Sequence, residues 1–176
     1  MIGMESEREI PKSERILNEI RLFREREKVR DVDEPMEKMV IFRVAGELYA
    51  FPGRNVMEIL SAMEISPIPG TPPCIPGLIT VRGEIESVLD LRSILGLPGL
   101  PEGEGQILLA RGGSIRSGVL IDSVEDVADV PLSAIFPPPS TLGGGAGEFV
   151  AGRIDMGGGN VLLLDTDRIF VLAAAP

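Results

Sequence analysis

The chain has 176 residues, with 17 Lys plus Arg against 27 Asp plus Glu, a formal charge of −10. That balance excludes a general nucleic-acid surface, which needs clustered cations to displace phosphate counterions, and it disfavours docking on anionic lipid. With no histidine there is no imidazole base or metal ligand, and a single cysteine, Cys74, builds neither an internal disulfide nor a thiolate cage.

No run of about 18 apolar residues occurs, and no basic-plus-apolar leader opens the chain. The expectation is a soluble, cytoplasmic, non-enzymatic protein with no membrane insertion, cofactor or metal.

Charge divides the sequence. Residues 1–38 carry 9 basic and 11 acidic side chains, whereas all eight basic residues after Lys38 are Arg. The first segment reads as a charged arm and residues 39–172 as an apolar, Gly- and Pro-rich body.

Within the arm, a helix is predicted from about Pro11 or Ser13 to Arg30. Pro11 suits a first turn, good helix formers follow, and the run Asp31 to Pro35 ends it. Ile16, Leu17, Ile20 and Phe23 form a narrow apolar stripe, which needs a surface of the body or of a partner to lie on. The arm is expected to be an accessory docking helix, dispensable for folding.

The body changes period. Met39 to Val44 and Glu47 to Phe51 read as a hairpin turning at Ala45-Gly46, and Gln106 to Ala110 and Ser117 to Ile121 bracket Gly112-Gly113 in the same way. Pro67, Pro69, Pro72, Pro73 and Pro76 mark an extended connection.

An internal repeat sets the expected architecture. At a shift of 75, Gly77 meets Gly152, Ile79 meets Ile154, Gly83 meets Gly158, Asp90 meets Asp165 and Ile94 meets Ile169. At a shift of 68, Val56-Met57-Glu58-Ile59 meets Val124-Glu125-Asp126-Val127. A unit of roughly 70 residues buries little core alone. The fold class expected is therefore mainly β: two small five-stranded β-barrel subdomains, intertwined and packed together, with a cleft between them and a charged helix in front.

Candidate chemistry is thin. The glycine runs 143–147 and 157–159 lack the Lys-Ser or Lys-Thr of a phosphate loop, so they read as turns. Glu84 and Glu86 project from one face of a presumed strand, as do Asp165 and Asp167 if extended, and both pairs read as solvated edges rather than acid–base machinery. Arg82, between Val81 and Gly83, either pairs internally with Glu84, Glu86 or Asp90 or presents its donor fork to a partner.

The run Ile65 to Pro73 and Ile75-Pro76-Gly77-Leu78-Ile79-Thr80-Val81-Arg82-Gly83, with Val88-Leu89-Asp90-Leu91-Arg92, resembles the CheW family of chemotaxis coupling proteins. The resemblance spans about Met39 to Phe170. It implies two five-stranded barrels, no enzymatic activity, and an adaptor that joins methyl-accepting chemoreceptor tips to the regulatory domain of a CheA-type histidine kinase. Carried over residue by residue, it implies a receptor-side site at Val56, Glu58, Ile59, Gly77, Arg82 and Gly83. The sequence departs from the family at Thr80, where Asn is usual, at Ser87, where Pro is usual, and at Glu86, commonly apolar. Two other readings stand beside it: a CheW-like scaffold of a non-flagellar motility or development pathway, and a ligand- or metal-binding regulator using the inter-barrel cleft and its acids.

Overall fold

The computed structural model describes residues 12–27, 34–99, 101, 103–157 and 159–174. After helix α1 (Lys12–Glu27) come strands β1 (Met36–Val44), β2 (Glu47–Pro52), β3 (Val56–Ser61), β4 (Gly77–Val81) and β5 (Glu84–Asp90), then helix α2 (Leu91–Leu95). The second half repeats the order with β6 (Gln106–Gly112), β7 (Ile115–Ile121), β8 (Ser123–Pro131), the two-residue β9 (Ile135–Phe136), β10 (Val150–Asp155), β11 (Asn160–Leu164) and helix α3 (Thr166–Val171).

Local chemistry explains the punctuation. The β1–β2 and β4–β5 turns are two residues long with both residues left-handed, Ala45-Gly46 (φ 51° and 84°) and Arg82-Gly83 (φ 50° and 84°). That geometry matches the twist of the flanking strands. Asp90 caps α2 by accepting from Arg92 N, and Asp165 caps α3 by accepting from Arg168 N. Asp165 and Asp167 are thus a cap and a first-turn residue, not a strand-face pair.

The strands form two sheets, β8-β1-β2-β11-β10-β9 and β3-β6-β7-β5-β4. Each takes its hairpin from one repeat and its other strands from the other repeat. The register obeys the sequence shifts throughout: Glu58 faces Leu109 as Asp126 faces Ile41, and Val88 faces Gly118 as Leu163 faces Ala50. Even the sixth strand has its counterpart, since Phe136 pairs Arg153 where an isolated bridge joins Ser66 to Leu78. The two subdomains are therefore five- and six-stranded sheets rather than two equal fives, because a longer connection extends that bridge into β9.

Apolar side chains fill the space between the sheets. Phe42, Phe51, Leu108, Val119 and Ile121 meet there with Leu89, Leu91 and Phe170. Among the described residues this core is filled by buried side chains, so the cleft expected between the subdomains is not found within it. The short helices α2 and α3 supply part of the packing that the few aromatics leave undone.

A second cluster lies on the other face of the six-stranded sheet, from Met39, Ile41, Ile154, Met156, Val161 and Leu163. Helix α1 covers it. Ile20 is fully buried within the cluster, with Ile16 and Leu17 packed beside it, and the Phe23 ring sits over Gly157. The helix boundaries agree with the sequence up to Glu27; Pro11 and residues 28–30 lie outside the described residues. The arm–body boundary falls inside β1, whose Met36 to Lys38 pair with Pro131 to Asp129.

Ile20→Ala should lower unfolding free energy by about 2–5 kcal/mol, because an enclosed side chain leaves a cavity. Arg24→Ala, an exposed ion-pair partner, should cost about 1 kcal/mol or less. Urea unfolding measures both. Whether the body folds without the arm is tested by deleting residues 1–35: a soluble truncation with one cooperative transition supports that division, and an insoluble one overturns it.

Candidate functional site

The site is a seam. In the five-stranded sheet, β3 and β4 are the two edges. They approach each other because the sheet curls, and one ion pair spans the gap. Arg82, in the β4–β5 turn, donates from Nη1 and Nη2 to the two carboxylate oxygens of Glu58 on β3, at 2.7 and 2.6 Å. A planar guanidinium fork meets a carboxylate edge in this way with both charge and geometry satisfied. Arg82 stays outward: its side chain is 77% exposed.

Of the predicted residues, Glu58, Ile59, Arg82 and Gly83 come together at this seam. Ile59 is 43% exposed beside Glu58, with Met57 50% exposed one residue earlier. Val56 points the other way, packing against the inter-sheet core. Gly77 lies at the far end of β4 and is buried; a Cβ there would stand 2.1 Å from Ser66 O. Its role is to let the β3–β4 connection pass close. The docking-helix residues Ile16, Leu17, Ile20 and Phe23 sit on the other sheet, against this chain's own body.

Arg82 pairs with none of the acids proposed for it. Asp90 is a helix cap, and Glu84 and Glu86 are both taken by Arg116 of β7. Glu86 is 5% exposed, so the expectation of a solvated carboxylate edge is corrected for it. The hydrogen bonds that Arg116 donates to Glu86 and then to Glu84 hold its pKa above the ordinary value. Turning Glu86 inward turns its neighbour Ile85 outward, where it is 70% exposed. Sequence reasoning missed Ile85 and Arg116. The available signal was Glu84-Ile85-Glu86 itself, in which alternation places Ile85 opposite the acids, and Arg116 two residues before a strand glycine.

At the other end of β4 and β5, away from the Arg82 turn, a cavity of about 850 Å³ opens between the β3–β4 connection and the start of β6. Met63, Ile65, Ile107 and Leu120 line it, with Glu64, Asp90 and Glu104 at its walls. Among the described residues, no group of three or more Asp, Glu or Cys side chains is placed to hold a metal ion, and no helix is long and apolar enough to cross a membrane.

The charged floor of this sheet gives a direct test of its construction. Arg116 and Glu86 occupy the positions that Leu48 and Val161 fill in the other sheet. Arg116→Leu alone leaves the buried Glu86 carboxylate unpaired and should lower the melting temperature, whereas Arg116→Leu with Glu86→Val should restore it to native or higher, read by thermal unfolding.

Comparison with known proteins agrees with this fold. Residues 38–174 match the CheW-like domain family. The chain is 35% identical over 131 residues to protein FrzA of Myxococcus xanthus, covering 70% of this chain and 78% of that protein. It is 35% identical over 104 residues to chemotaxis protein CheW of Bacillus subtilis, covering 58% and 67%. The solved structure of the scaffolding protein TtCheW from Thermoanaerobacter tengcongensis superposes with a TM-score of 0.68 at 27% identity, over 74% of this chain and 89% of that one. With two curled sheets built from exchanged repeats, and a family match spanning nearly the whole body, the chain belongs to the CheW-like domain family.

Proposed function

We propose that this chain is a non-catalytic adaptor that couples the cytoplasmic tips of chemoreceptors to the regulatory domain of a CheA-type histidine kinase. Membership of a family of non-catalytic scaffolds supports the class. The observation that carries the receptor side is the exposed Arg82–Glu58 pair. An exposed ion pair contributes only about 0–1 kcal/mol, and Arg82 sits at φ 50°, where a side chain is disfavoured. Stability therefore gives little reason for an arginine at this turn. Recognition does: a guanidinium over a carboxylate, with exposed Met57 and Ile59 on either side of Glu58 in the strand, combines an orienting charge with apolar contact area.

Coupling needs no chemistry of its own. An adaptor that holds a receptor on one surface and a kinase on another transmits a state change if one docking geometry is favoured over the other. Its place of work in this reading is the cytoplasm. A scaffold in a non-flagellar motility or development pathway is the second reading, kept because protein FrzA, as identical to this chain as the Bacillus subtilis CheW, does not carry the chemotaxis name. The genes neighbouring this one distinguish the two.

A pull-down with a receptor signalling-tip fragment and a CheA-type kinase should recover both, and recovery of neither sinks the proposal. Arg82→Gly separates the roles of the turn residue. Glycine suits the left-handed position, so the melting temperature should hold or rise while receptor affinity falls about 10-fold or more. Ile59→Asp should weaken receptor binding more than kinase binding, measured by titration against each. Val56→Asp is the poorer probe, since it drives a charge against the core.

A further inference from the structure

The internal repeat places a second acid-bearing motif, Val124-Glu125-Asp126-Val127 on β8, where the other sheet has Val56 to Ile59. Its seam is closed differently. The turn position equivalent to Arg82 is Gly157, which carries no side chain to reach across. The guanidinium comes instead from α1: Arg24 Nη1 donates to both oxygens of Asp126, at 2.8 and 2.7 Å, and Nη2 donates to Val127 O at 3.2 Å.

The glycines of the β10–β11 connection make the bed. A Cβ at Gly159 would stand 2.6 Å from the Ile16 side chain, and one at Gly157 would stand 3.4 Å from the Phe23 ring. Under Ile20 the floor is apolar, Leu48 and Val161, whereas the equivalent floor of the other sheet is Arg116 and Glu86. Among the described residues no backbone hydrogen bond joins α1 to a strand, so side chains alone hold it. Its pattern is apolar at i, i+4 and i+7 (Ile16, Ile20, Phe23) with a cation at i+8 (Arg24).

We propose that this face of the six-stranded sheet is a helix-docking site, held closed by α1 acting as an intramolecular competitor. Its occupant when α1 leaves is a partner's amphipathic helix carrying the same pattern, apolar at i, i+4 and i+7 and basic at i+8. The groove selects it by the Leu48–Val161 floor, the glycine bed and the Asp126 carboxylate, the helix-in-groove mode of recognition. This inference does not depend on the receptor reading, since the groove and its occupant are both present in the fold.

A labelled peptide of residues 12–27 tests it on the full chain. Against the native protein the peptide competes with a tethered helix present at an effective concentration on the order of millimolar, so binding is weak. Ile20→Gln with Arg24→Glu loosens the resident helix, and peptide affinity should rise at least ~10-fold; adding Asp126→Arg should abolish that gain. If the double variant does not fold, Arg24→Glu alone is read in the same way.

A second measurement uses Phe23→Cys with Gly157→Cys in a Cys74→Ser background, since the two Cβ positions stand 3.8 Å apart, within disulfide range. The oxidised protein should refuse the peptide and the reduced protein should bind it. A loosened helix, shown by hydrogen exchange, with no gain in peptide binding overturns the proposal. So does a gain that survives Asp126→Arg.

Discussion

Two parallel strand pairings hold the molecule to a single architecture: β11 against β2, and β7 against β5. Each joins a strand of one repeat to the hairpin of the other. Neither sheet can complete its hydrogen bonding from one half of the sequence, so the halves are obliged to fold together. Unpaired backbone groups at a buried edge would be too costly to leave. The inter-sheet core then follows, since β1 is buried on both faces, with Val40 and Phe42 toward the other sheet and Met39 and Ile41 toward α1.

Exchange of strands also explains how nearly identical frames acquired different surfaces. The five-stranded sheet curls until an acid on one edge, Glu58, meets the turn at the other, whereas in the six-stranded sheet α1 joins the equivalent acid and turn, with Arg24 on Asp126 and Phe23 over Gly157. In the five-stranded sheet the turn supplies Arg82, and the floor beneath carries Arg116 and Glu86. In the six-stranded sheet the turn is glycine, the floor is Leu48 and Val161, and a whole helix lies across it. Apolar floor and helical cover go together because exposed Leu and Val in a curled sheet would favour association, whereas a paired, charged floor tolerates water.

The consequence is a molecule with two unlike ends. One sheet presents a polar seam with Met57 and Ile59 exposed beside Glu58, and the other presents the charged outer face of α1. A symmetric scaffold would offer partners two equivalent faces. Divergence of a handful of residues, Gly157 against Arg82 and Val161 against Glu86 among them, removes that equivalence while leaving strand order and register untouched.

Legible in the amino-acid order were the β class, the repeat and its two shifts, the hairpins at Ala45-Gly46 and around Gly112-Gly113, and a helix beginning near Pro11 or Ser13. These are written in local signals: turn residues, alternation and self-similarity. Composition alone also disposed of imidazole and phosphate-loop chemistry. Folding in three dimensions was needed to show that the repeats trade strands, that Arg82 closes on Glu58 rather than on Glu84, Glu86 or Asp90, and that Gly77 serves a close chain crossing. It also decided that Ile20 belongs to a core while Ile85 faces water. Each of those outcomes depends on residues brought together from distant parts of the chain by curling and strand exchange. No local pattern encodes which of several acids an arginine will reach, because the distance is set by the sheets and not by the spacing.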